Sequence, residues 1–355
     1  LKTNRRGFLR QAMFTGAMCC FGVTFADMLL GNDKQNKKII DVHHHILPHI
    51  YVSSLAKIGI TSTNGNPFPQ WSARQSIEAM DRNGIRTAIT SISAPGIYFG
   101  DKQFAIQLAR QCNEYSANLI ANYPGRFGAF GVLPLPDVDA SLLELSYSLD
   151  TLKLDGVILL SNIAGDYLGS PRFDDVFAEL NRRKAVVFIH PTYPAEKRYP
   201  DLQIPPSFFE FVFDTTRTIA SLIQHNTLER FPDIRFIVAH GGGTAPYLAK
   251  KMALTAQISG QRSDHAIAQL KKMIYDTSLS TSRYSLALMK DLAGDDNIVF
   301  GSDFGFVPEF VLTSSIYELN NCEVYDRISL EKIYQINAVK LFSRLVLKKH
   351  SSGSS

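Results

Sequence analysis

The chain carries nine histidines, and three of them stand in a row in Asp41-Val42-His43-His44-His45. This stretch closes a β-like run that begins at Lys38. Successive side chains of a strand point to opposite faces, so His43 and His45 share one face and His44 takes the other. Two imidazoles side by side at a strand end are half of a metal site. Three more apolar runs end on residues of the same chemistry: Val187-Phe188-Ile189-His190-Pro191, Val238-Ala239-His240-Gly241-Gly242-Gly243 and Phe300-Gly301-Ser302-Asp303. A lone histidine at a strand end is more often hydrogen-bonded than metal-bound, but four strand ends here agree. His43, His45, His190 and Asp303 make a donor set for one divalent cation, zinc first and manganese or iron next, with a position left for water or substrate. His240 is set apart from these ligands. It precedes three glycines, where backbone can approach a bound molecule closely. A histidine beside a metal but outside its coordination is a natural general acid or base, with Asp303 as metal-bound partner; a fifth ligand is the alternative. His44 is expected to pack against outer helices. His49, His225, His265 and His350 fall in loops or helices and are assigned no chemistry.

Bringing four distant strand ends together takes a parallel arrangement. Apolar, β-rich runs lie at 39–46, 87–93, 127–133, 156–161, 185–190, 235–240, 273–278 and 298–301. Amphipathic stretches alternate with them, at 72–83, 103–123, 141–153, 173–183 and 214–231, and 330–347 reads as a closing helix. Ser72, Asp174 and Asp214 are suitable N-caps. Alternating β and α with short buried strands implies a parallel sheet, and eight repeats in roughly 300 residues predict a closed (β/α)8 TIM barrel over 39–347. An open doubly wound sheet is the alternative, but no Gly-x-Gly-x-x-Gly follows an early strand. The connections 47–71 and 191–213 are rich in proline and long enough to wall an active site at the strands' carboxyl ends.

With 45% hydrophobic and 20% charged residues the composition is that of an ordinary globular protein. The net charge of +4 is unevenly placed: residues 1–38 hold seven Lys or Arg against two Asp, so the remainder is at −1. The body therefore gives no electrostatic reason to expect nucleic acid. The N-terminus, Asn4-Arg5-Arg6-Gly7-Phe8-Leu9-Arg10 followed by an apolar stretch to Ala26, resembles a twin-arginine export signal. An amphipathic helix or membrane anchor is the alternative, but the run is short and holds Gly and Thr. Cleavage after Thr24-Phe25-Ala26, with 31–38 as connector, would give a periplasmic protein with no membrane partner. Cys19 and Cys20 would leave with the signal. Cys112 and Cys322 remain, which is no disulfide framework. The tail 348–355 is expected to be disordered.

Taken together, Asp41-Val42-His43-His44-His45-Ile46-Leu47-Pro48, Phe188-Ile189-His190-Pro191, Ala239-His240-Gly241-Gly242-Gly243 and Gly301-Ser302-Asp303 resemble the motifs of the aminocarboxymuconate-semialdehyde decarboxylase group, a branch of the amidohydrolase superfamily. Met80-Asp81-Arg82-Asn83-Gly84-Ile85 and Tyr123-Pro124-Gly125-Arg126-Phe127-Gly128 are similar too. The resemblance spans about 39–345. It implies one divalent metal on His43, His45, His190 and Asp303, with His240 as acid/base. It also implies a homodimer, in which an arginine eleven residues after the catalytic histidine reaches the partner's substrate carboxylate. Here that position is Lys251, and Lys does not replace Arg at a bidentate site. The group's second substrate arginine has no counterpart in 47–71.

The expected activity is non-oxidative decarboxylation of a small aromatic or enol-type carboxylate, of the muconate-semialdehyde or salicylate kind. Trp71, with Tyr51 and Phe68, suggests an aromatic ring as substrate. Lys251, Trp71 and Arg217 are the candidate substrate contacts, with Asp214 beside Arg217 as either a substrate-site residue or a helix cap in an i,i+3 ion pair. The rival activity is metal-dependent hydrolysis of a lactone, ester or amide. A non-catalytic exported metal- or solute-binding protein is the third reading, and retention of both His240 and Asp303 argues against it.

Overall fold

A computed structural model of the chain describes residues 38–345, apart from 64–65, 195–201, 259 and 261. The export signal and the tail 348–355 lie outside the described residues. Eight parallel strands form the centre: β1 Ile39–His45, β2 Ile85–Ser91, β3 Phe127–Val132, β4 Gly156–Leu160, β5 Val186–His190, β6 Arg235–Val238, β7 Ile274–Asp276 and β8 Ile298–Val299. Each pairs with its neighbours in chain order, as right-handed βα crossovers require. The ring closes between β1 and the segment after β8. Val42 N–H donates to Phe300 O at 2.9 Å, Asp303 N–H to His43 O at 2.8 Å, and His45 N–H to Phe304 O at 2.7 Å. The expected barrel is the observed one.

Strands buried on both faces read as continuous apolar runs. Accordingly Val187, Phe188, Ile189, Ile237 and Val238 are fully buried. Inside the barrel Phe130 stacks on Phe188 with centroids 5.3 Å apart. Helices cover the outside. Ala73–Arg82 starts at Ser72, whose side chain accepts from Gln75 N–H as expected, and buries Met80 against the core. Lys102–Asn122 is capped by Asp101 in the same way.

Three expectations are corrected. The connection 47–71 is not merely a loop: after Pro48 it forms the helix His49–Lys57 and a small antiparallel pair, Ser62–Thr63 with Asn66–Pro67. Pro is well placed just before a helix, since the first turn needs no N–H from it. The helix expected from Asp214 starts earlier, as Glu210–Gln224, so Asp214 lies inside it and caps nothing. Asp174 is likewise the first helical residue of Asp174–Arg182 and makes no side-chain cap. Cys112 and Cys322 are free thiols. Among the described residues no helix is long and apolar enough to cross a membrane.

Candidate metal centre

The carboxyl ends of the strands converge on one buried cluster. From β1, His43 and His45 point inward, with Nε2 atoms 2.9 Å apart and rings nearly perpendicular. The register with β2 slips between Asp41 and His44. The alternation nevertheless survives: His44 faces outward, its Nδ1 3.0 Å from Asp41 and its Nε2 3.0 Å from Ser76 Oγ on the covering helix. His190 ends β5, its ring centroid 5.1 Å from that of His43 and 4.7 Å from that of His45. Asp303 follows β8, with Oδ1 3.0 Å from His45 Nε2 and 3.3 Å from His43 Nε2. His240, after β6, brings Nε2 to 3.4 Å from Asp303 Oδ2. One donor atom each of His43, His190, His240 and Asp303 lies within 4.8 Å of the others.

Proximity does not separate His240 from the ligands, but the second ring nitrogens do. A metal-bound histidine usually donates its other N–H to a fixed acceptor, which sets tautomer and ring orientation. His43 Nδ1 is 2.6 Å from Asp276 Oδ2, His45 Nδ1 3.1 Å from Ser91 Oγ, and His190 Nδ1 2.7 Å from Pro191 O. All three therefore have Nε2 left for the site. Among the described residues His240 Nδ1 has no hydrogen-bond partner, so no protein group there fixes the tautomer of that ring. Two nitrogens bound to one tetrahedral zinc stand about 3.3 Å apart. The 2.9, 3.0 and 3.3 Å separations among His43, His45 and Asp303 are of that size, so these residues fit a single divalent ion.

Burial and charge tune the same groups. Burial opposes a charge on His43, but the carboxylates of Asp276 and Asp303 outweigh it and raise its pKa to about 10. Burial lowers His45 to about 4, against its hydrogen bond to Asp303 and with help from nearby His43. His190 falls well below its ordinary value, through burial and then its neighbours His45, His43 and His240. Burial works to raise Asp303, yet the charge of His43 and hydrogen bonds from His240, His43 and His45 hold it well below the usual carboxylate range. Neutral imidazoles and an ionised carboxylate are the forms that bind a cation, so His45, His190 and Asp303 are ready for one, whereas binding must displace a proton from His43.

The local chain explains the placement. His240 and Asp303 both hold left-handed backbone, at φ 54° and 60°. Such conformations are uncommon outside glycine and gather at functional sites. Gly301 permits a close approach of β1 and β7 at the site. A Cβ there would stand 2.8 Å from His43 Cβ and 3.1 Å from Asp276 Cβ. His43 and His45 are wholly enclosed, whereas His240 and Asp303 each keep 8% exposure, so a substrate approaches on their side. Two aromatic rings flank the histidines: Phe306 lies 5.3 Å from His45 and the buried Phe211 6.3 Å from His190, between centroids.

The candidate substrate residues do not gather there. Trp71 donates its indole N–H to Ser76 Oγ at 2.9 Å and packs on Tyr115. It thus shares the outward side with His44. Arg217 is half-exposed, 3.9 Å from Asp214. Asp214 is fully buried, held by Ser161, by Asn162 at 2.8 Å and by Tyr167 at 2.8 Å. Lys251 is exposed on the helix Ala245–Ile258, near Tyr247 and Leu254. Two site residues escaped the sequence reading. Asp276 ends the apolar run of β7 as the ligands end theirs, and that signal was available. Asp41 sits in the opening motif; it accepts from Ser302 N–H at 3.0 Å and Oγ–H at 2.6 Å, tying β1 to the Asp303 loop.

With this geometry in place, comparison with known proteins decides the lineage. An amidohydrolase family model matches residues 40–344. The chain belongs to the amidohydrolase family. This amidohydrolase is 35% identical over 322 residues to the decarboxylase yanB of Aspergillus niger, covering 86% of this chain and 87% of the relative. It is 32% identical over 319 residues to the 6-methylsalicylic acid decarboxylase acuB of Aspergillus aculeatus, covering 86% and 96%. Among solved structures it superposes on an amidohydrolase II with a TM-score of 0.82 at 27% identity, over 86% of this chain and 99% of that one. The family read from the four strand-end motifs is thereby borne out.

Proposed function

We propose that this amidohydrolase is a metal-dependent, non-oxidative decarboxylase of a small aromatic carboxylate, of the salicylate type. One observation carries the reading. Three histidines with anchored Nδ1 atoms and Asp303 face a fourth, His240, whose Nδ1 is unanchored at the open side of the cluster. The decarboxylase relatives and the aromatic rings of Phe306 and Phe211 beside the histidines support it. His43, His45, His190 and Asp303 would hold the ion, which supplies Lewis-acid binding and orientation of the carboxylate and an adjacent oxygen. Three imidazoles and one carboxylate suit zinc, and manganese accepts the same donors.

The chain's own residues then have separate tasks. Phe306 and Phe211 present ring faces and edges to a flat substrate and exclude water. His240 delivers a proton to the ring carbon as its bond to the carboxyl carbon breaks and carbon dioxide leaves. Asp303 holds His240 Nε2 in place. The deciding experiment is metal analysis of purified protein, then a panel of hydroxybenzoates with carbon dioxide detection. Release of carbon dioxide with zinc bound is the expected result. Acid release from lactones, esters or amides without carbon dioxide would replace decarboxylation by hydrolysis.

The protein is exported by its Arg5-Arg6 signal to the periplasm, and accumulation of full-length chain in the cytosol would refute this. It acts as a homodimer through the face of Ala245–Ile258, where Tyr247, Leu254 and Ile258 are 75%, 50% and 79% exposed around Lys251. A monomer mass in solution would refute that.

A further inference from the structure

Asp276, at the end of β7, is fully buried and binds no substrate, yet each of its oxygens holds a different part of the site. Oδ2 lies 2.6 Å from His43 Nδ1. Oδ1 accepts the backbone N–H of His240 at 2.8 Å and that of Ser278 at 3.1 Å. Its Cβ and Cγ rest against the space that Gly301 leaves open. One carboxylate thus touches a ring from β1, the backbone after β6 and its own strand's continuation.

We propose that Asp276 is the positioning residue that joins the metal-binding ring of His43 to the acid/base His240. A carboxylate with two backbone donors on one oxygen has only acceptor capacity for the imidazole on the other. His43 must then carry hydrogen on Nδ1, so that Nε2 is the nitrogen left to bind a metal. At the same time the His240 N–H is pinned, and that residue's left-handed backbone, at φ 54°, needs such an external hold. The hydrogen bonds within one side chain therefore set both the ligand's tautomer and the direction from which the proton is delivered. The assignment rests on the reading of His43 as a metal ligand.

The test is the substitution Asp276→Asn, which changes shape little and chemistry sharply. The two backbone donors require the amide oxygen at the Oδ1 position. The amide N–H then faces His43 Nδ1, which must accept, so the ring proton moves to Nε2. Long-range nitrogen–proton NMR of histidine-labelled, metal-free protein reads this directly. His43 is expected to carry hydrogen on Nδ1 in the wild type and to lose it in the variant, while His44, bonded to Asp41, keeps its signals. Zinc affinity, from competition with a chromophoric chelator, should fall about 10- to 100-fold. A residue with a merely structural role would lower the melting temperature and leave tautomer and affinity unmoved; that result overturns the proposal. If Asp276→Asn does not fold, the metal-free wild type decides alone: hydrogen on His43 Nδ1 sustains the assignment, and its absence there rejects it. Wild type that binds no divalent ion would sink the ligand reading of His43. Wild type that binds zinc beside an Asp276→Asn variant with equal affinity would sink Asp276 only.

Discussion

At the scale of single residues, the site depends on which nitrogen of each ring is committed. At Nδ1, His43, His45 and His190 are held by Asp276, Ser91 and Pro191, whereas His240 has no partner at that atom among the described residues. The substitution His240→Asn tests the division. Asparagine tolerates left-handed backbone better than other replacements, and it retains the N–H that Asp276 accepts, but it cannot shuttle a proton. Turnover should fall by about 10² to 10⁴, the usual worth of a positioned acid/base. Zinc content should stay at the wild-type level by elemental analysis. Loss of metal together with activity would make His240 a ligand instead.

At the scale of elements, legibility followed the backbone. A parallel strand buried on both faces writes its burial into the sequence as an unbroken apolar run, and a polar residue ending such a run stands out. That is why His190, His240 and Asp303 could be read, and why β1 to β8 fall close to their expected positions. What failed depended on contacts between elements. The helix His49–Lys57 hides behind Pro48 and a sequence with few repeats of an apolar face. Asp214 looks like a cap until Ser161, Asn162 and Tyr167 from the β4 end are seen to enclose it. Trp71 gives no sign in the sequence that Ser76 takes its indole N–H. The outer helices also carry measurable charge chemistry. Glu179 on Asp174–Arg182 receives Arg182 Nε at 2.7 Å and Arg183 Nε at 2.6 Å. The hydrogen bond from Arg182, against an opposing contribution from burial and with Arg183 adding to it, lowers its pKa to about 2. A depressed carboxylate stabilises the fold above its unfolded pKa, near 4.5, and the benefit fades as pH falls toward 2. Glu179→Gln should thus cost about 1 kcal/mol at pH 7, after allowing for solvent screening of the arginines. In urea titrations the gap from wild type should narrow from pH 5 to pH 3. A gap that widens toward acid would reverse the assigned sign.

At the scale of the whole molecule, the metal centre and the barrel's closure occupy the same place. β8 has only the two residues Ile298–Val299, so the joint with β1 relies on the segment that follows it. That segment is held by Val42 N–H to Phe300 O, Asp303 N–H to His43 O, His45 N–H to Phe304 O and the Ser302 bonds to Asp41. His43 and His45 lie on one side of this joint and Asp303 on the other, so an ion bound by all three links the first strand to the end of the last. Binding to the folded state alone stabilises it by about 2.7 kcal/mol when free metal is a hundredfold above Kd. In a barrel of this size that corresponds to roughly 5 °C in melting temperature. Removal of the metal by chelation should lower the melting temperature by about that amount, and zinc should restore it. The loss should also be local. Amide hydrogen exchange at Val42, His45 and Asp303 should quicken, while Val157 and Val187 on the opposite wall, between β4 and β5, change little. A uniform rise across all eight strands would mean that the ion stabilises the barrel as a whole and that its closure does not depend on the metal.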